Sequence, residues 1–71
     1  MTAIPTITPH VGARVEITVW QHREEVHNFI GTVHALTPNL ITVDAEQWGT
    51  RKSYLLDDVT IHQPFDERRR A

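Results

Sequence analysis

The sequence predicts an all-β fold: a small five-stranded barrel, closed or nearly closed, with an extended N-terminal arm. Three observations predict it. β-Branched and other apolar residues alternate with polar ones at a period of two, as on half-buried strands. No stretch carries apolar residues at helical spacing. Gly, Pro and Asn interrupt the chain at short intervals, where turns belong. A flat sheet of such strands would leave one apolar face wet, and curling it around Val15, Ile17, Val33, Ile41, Val43 and Val59 removes that cost.

Residues 1–10 hold Pro5 and Pro9 among alternating Thr and Ile, and read as an extended arm rather than a helix. Residues 11–20 make the first strand, with Val11, Ala13, Val15, Ile17 and Val19 on one face and Gly12, Arg14, Glu16 and Thr18 on the other. Residues 21–25 are polar and form a turn. Residues 27–36 make the second strand, where Gly31 marks a bend or a close backbone approach. Thr37-Pro38-Asn39 is a tight turn. Residues 40–46 follow as a third strand with Ile41, Val43 and Ala45 inward, then a loop with Gly49, then a fourth strand over residues 51–56. Leu56-Asp57-Asp58 is a single 3₁₀ turn, and residues 59–62 form a fifth strand stopped by Pro64. Residues 11–63 are thus the barrel and residues 64–71 a charged, mobile tail.

At 71 residues the chain is one domain. Chains of this size bury only about 60% of their unfolded surface, so a staple or a partner subunit is commonly needed. Cysteine is absent, which excludes disulfides, thiolate zinc sites and a cysteine nucleophile. Seven basic residues face nine acidic ones, a net charge of −2, without the positive excess of a duplex-DNA binder. No apolar run approaches the ~20 residues of a membrane span. Residues 1–9 have neither the basic nor the apolar region of a signal peptide, so a cytoplasmic protein is expected.

The stretch from Phe29 through Gly31 to Asp44 resembles the first Sm motif: an aromatic, a glycine at the strand bend, a short turn, then a strand of alternating aliphatics. The spacing after Gly31 is similar to that of the bacterial Hfq branch. Residues 53–61, Ser-Tyr-Leu-Leu-Asp-Asp-Val-Thr-Ile, sit where a second Sm motif would, two strands joined by a very short turn. The resemblance implies an SH3-like, Sm-like barrel that is oligomeric and contacts RNA. It departs from the family at Pro5 and Pro9, where an opening helix is usual. It departs again at Leu55-Leu56-Asp57-Asp58, where the family carries basic residues; an acidic turn there repels phosphate.

Trp48, Arg51 and Lys52 are the best aromatic–basic grouping and the candidate site for a single-stranded nucleic acid. Trp20, Ile30, Tyr54 and Leu55 are candidate interface residues: Trp20 and Ile30 fall on the polar faces of their strands, as an outer apolar patch would. A strongly bent strand that buries both its faces is the alternative. The five histidines show no i, i+2 pair on one strand face, and ordinary surface histidines rather than metal ligands are expected. Arg68-Arg69-Arg70 reads as a solvated terminus. Asp57-Asp58 point apart, Ser53 has no neighbouring histidine, and no glycine-rich phosphate loop exists, so no catalytic residues and no cofactor are assigned. The expected function is a non-enzymatic, self-associating binding module. Its partner is RNA or single-stranded nucleic acid, or alternatively a larger protein on which it docks.

Overall fold

The computed structural model describes residues 7–68. Residues 1–6 of the expected arm and residues 69–71 of the tail lie outside the described residues. The elements are β1 (Arg14–Gln21), β2 (Glu24–Leu36), β3 (Leu40–Ala45), β4 (Arg51–Leu55), a 3₁₀ turn (Leu56–Asp58), β5 (Val59–His62) and one helical turn, α1 (Phe65–Arg68). All strand pairs are antiparallel, in one sheet of order β4-β3-β2-β1-β5. The all-β class is as expected. The sheet is not closed: β4 and β5 are its two edges. No helix among the described residues is long and apolar enough to cross a membrane.

β1 starts three positions later than alternation alone predicts. Gly12 has φ 92°, so Val11 and Gly12 form a turn and Val11 is exposed instead of facing inward. The β1–β2 hairpin closes on His22 and Arg23, both in the left-handed region at φ 54° and 67°. Two-residue hairpin loops need this geometry because its twist matches that of the strands, and Asn-Gly is its usual sequence.

β2 is 13 residues long because it serves two partners. Its first part pairs with β1, from Gln21↔Glu24 to Arg14↔Thr32, and its last part pairs with β3, from Gly31↔Ala45 to Leu36↔Ile41. Register shifts leave Val26 and His34 as extra residues, the bulges that let the strand turn between partners. Gly31 is paired on both sides, with Val15 and Ala45. A Cβ built there would lie 2.6 Å from the Asp44 carbonyl oxygen and 2.5 Å from Val43 Cγ1.

The inward faces meet in one cluster: Val15, Ile17 and Val19 from β1, Phe29 and Val33 from β2, Ile41, Val43 and Ala45 from β3, and Ile61 from β5. Ala13, Tyr54, Leu56 and Val59 pack against it. Five of the six expected core residues are in the cluster itself, and Val59 is at its margin.

Gly31→Ala is expected to lower stability by about 2 kcal/mol or more, because the obstructing atom is backbone. For a domain of this size that is a fall in Tm of roughly 10 °C. A Tm within a degree or two of the parent would show that β2 and β3 do not approach this closely. Conversely, His22→Asn combined with Arg23→Gly should raise stability by about 1 kcal/mol in urea unfolding, since it relieves two left-handed side chains.

Candidate functional site

The turn after β3 places Trp48 against the core face of β2. Its ring centroid is 5.4 Å from that of Phe29, and the His27 ring meets it edge-on at 6.4 Å. Tyr54 of β4 also packs on Phe29, at 6.0 Å, and burial pushes its phenol pKa up. Lys52 holds its Nζ 5.6 Å from the Trp48 ring centroid, a cation–π contact. Trp48 nevertheless stays 49% exposed.

Of the candidate nucleic-acid residues, the structure brings Trp48 and Lys52 together and sends Arg51 elsewhere. Successive strand residues face opposite ways. Lys52 lies opposite inward Val43, while Arg51 lies opposite Asp44 and donates from Nε to Asp44 Oδ1 at 2.8 Å. That bond holds the Asp44 carboxyl below the usual carboxylate range.

The candidate interface residues divide in the same way. Trp20 is exposed and donates its indole N–H to Thr60 Oγ1 at 2.8 Å. Tyr54 is on the core side, away from the outer face where an outer cluster would need it. Ile30 does face outward, opposite Glu16, but is only 7% exposed. The bent strand has buried both its faces there, so Trp20, Ile30 and Tyr54 form no single outer patch. Leu55 is 53% exposed, opposite exposed Leu40.

A groove of about 460 Å³ opens where the β1–β2 hairpin passes Tyr54 and the end of the 3₁₀ turn at Asp58. Val19, Trp20, Val26 and Tyr54 line it, with Gln21, His22 and Asp58 as its polar members. Trp20 and Tyr54, which do not share an outer patch, both meet this groove. His22 is the strained hairpin residue. Among the described residues neither Asp57 nor Asp58 takes part in an ion pair.

The outer face of β1 carries a polar network that alternation reads as a solvated surface. Glu16, Thr18 and His62 are only 5%, 5% and 3% exposed. Asn28 Nδ2 donates to Glu16 Oε2 at 3.0 Å and to Thr18 Oγ1 at 2.9 Å, and Thr18 Oγ1 is 3.0 Å from His62 Nε2. The C-terminal turn caps them: Phe65 N–H donates to Glu16 Oε1 at 2.8 Å. Arg14 fixes that turn through Asp66 at 2.9 Å and Glu67 at 2.8 Å, while its Nε holds Glu46 at 2.6 Å. Those three carboxylates, Glu46 foremost, raise the Arg14 pKa above its ordinary value.

His62 is therefore not the surface histidine its sequence position implies. Part of the expected tail supplies the cap, and only a histidine closing the β-branched run Val59-Thr60-Ile61 hinted at it. The Thr18 hydroxyl, His62 imidazole and Glu16 carboxylate stand here in the order of a nucleophilic triad, with His62 Nδ1 3.7 Å from Glu16 Oε2. Thr18 Oγ1, however, is buried, already accepts the Asn28 amide and does not line the groove. Among the described residues, no group of three or more His, Cys, Asp or Glu is arranged to hold a metal ion. No protein-family model, no curated protein and no solved structure matches the chain.

The Arg14 cluster has a pH signature. The Arg14 hydrogen bond lowers the Asp66 pKa, so its contribution is complete above the unfolded carboxylate value, about 4. The contribution is lost as pH falls through the lowered folded value. The loss of stability between about pH 4 and pH 2 should be shallower in Arg14→Gln than in the parent, read by urea unfolding at a series of pH values. Parallel curves would show that the C-terminal turn is not held by Arg14.

Proposed function

We propose that this chain is a non-enzymatic, self-associating binding module of the SH3-like, Sm-like kind. In this reading its groove takes an extended protein segment bearing apolar side chains and a flanking cation. The observation that carries the reading is the groove itself, apolar on Val19, Trp20, Val26 and Tyr54 and edged by Asp58, which like its neighbour Asp57 takes part in no ion pair among the described residues. Apolar side chains would replace water on the groove walls, and a Lys or Arg would meet the acidic turn. The kinship with Sm-like barrels is supported by the strand order, by β2 passing β3 at a glycine with no room for a Cβ, and by the 3₁₀ turn between β4 and β5.

Charge favours a protein over a nucleic acid. Arg14 and Arg51 are taken up by carboxylates, which leaves Arg23 and Lys52 as the cations of the sheet open to phosphate. A second reading, single-stranded nucleic acid, has Trp48 and Lys52 in its favour, an exposed ring beside an ammonium on which a base stacks.

Selection of displayed peptides against the full chain tests the first reading. The expected winners combine apolar residues with Lys or Arg, and Trp20→Ala should weaken them at least tenfold, about 1.4 kcal/mol. Winners indifferent to Trp20→Ala would refute it. Anisotropy with short labelled RNA and DNA tests the second: Trp48→Ala should weaken binding several-fold, with a shallow salt slope. No binding at low salt with tens of micromolar protein ends the nucleic-acid reading.

A further inference from the structure

The two sheet edges differ. On the outer side of β5, the Ile61 carbonyl already accepts the Ile7 N–H at 3.0 Å. β4 has no strand on its outer side among the described residues. The hydrogen bonds flanking β4 show which of its groups point outward. The Thr50 carbonyl accepts from Ala45 N–H, and Leu56 N–H donates to the Asn39 carbonyl, each at 2.8 Å. Even-numbered positions therefore turn their backbone groups toward β3. By alternation, Arg51, Ser53 and Leu55 turn their N–H and C=O groups outward.

Exposed edges are normally guarded by charge, proline, bulges or shortness. β4 has no proline, and its pairing with β3 runs without a register shift. Its two cations are both drawn off the edge, Arg51 onto Asp44 on the outer face and Lys52 onto the Trp48 ring on the inner face. The edge is left with its hydrogen-bonding groups and the exposed Leu55 side chain.

We propose that a second copy of this chain pairs with β4 edge to edge, antiparallel and symmetric about Ser53. In this register Ser53 faces the partner's Ser53, Arg51 faces the partner's Leu55, and Lys52 faces the partner's Tyr54. All three outward positions on each copy are used, and every cation lies opposite an uncharged residue. The other symmetric registers are worse. Centring on Arg51 or Lys52 sets like charges face to face. Centring on Tyr54 or Leu55 runs the partner strand into the 3₁₀ turn at Leu56–Asp58 and leaves outward groups unmatched. This pairing gives the self-association of the proposed module its surface. It does not depend on what fills the groove, and its test does not involve a groove ligand.

The full chain contains no cysteine, so single cysteines report the register directly. Light scattering of the parent at rising concentration should approach twice the chain mass of 8.2 kDa. Ser53→Pro removes an outward N–H, leaves the β3–β4 ladder its donors, and should shift the mass toward the monomer. Ser53→Cys, left to oxidise, should form a covalent dimer. Arg51→Cys and Leu55→Cys should each do so poorly alone and well when mixed. A parent that stays monomeric at hundreds of micromolar, or that forms a larger ring, overturns the proposal. So does a Ser53→Pro chain that dimerises like the parent, or cross-linking that favours Leu55→Cys alone over Ser53→Cys.

Discussion

The close passage of β3 over Gly31 is the constraint on which the rest of the structure depends. At that position β2 is paired on both sides, and the Asp44 carbonyl occupies space that any side chain would need. Because β3 can approach there, β2 hands its pairing from β1 to β3 without a break. The inward residues of three strands then converge on Phe29. Trp48 and Tyr54 both pack on the Phe29 ring there.

Charge is the second organising element. A chain with a net charge of −2 has few cations to offer, and the fold uses two of them internally. Arg14 joins the β3–β4 turn to the C-terminal turn, and Arg51 neutralises Asp44. Exposed ion pairs of this kind stabilise little individually. They also take positive charge off the surface, while Asp57 and Asp58 take part in no ion pair among the described residues. The buried network of Glu16, Thr18, Asn28 and His62 works differently. Every buried polar side-chain atom among the described residues has a partner, so the network sits under its cap at no desolvation penalty left uncompensated.

Much of the fold was legible because strand alternation is local. The turn at Thr37-Pro38-Asn39, the inward positions of β3, the 3₁₀ turn at Leu56 and the close approach at Gly31 all follow from residues near one another in the chain. What was not legible depends on distant segments. Arg51 and Lys52 are neighbours in sequence, and only the pairing register with Asp44 and Val43 shows that they serve opposite faces. Ile30 and His62 are buried on a face that alternation assigns to solvent, and the turn after Pro64 reaches Glu16 on that face, which no period announces. The groove combines Val26, a bulge residue, with Tyr54 from another strand, and bulges have no dependable sequence signal.

The claim that a single close approach organises the molecule is tested most directly by nuclear Overhauser contacts in the isotope-labelled chain. Strong contacts are expected from the Gly31 α-protons to the Val43 methyls, together with contacts between the Trp48 and Phe29 rings. Gly31 α-protons that see only β1 neighbours, with no contact to Val43, would contradict it.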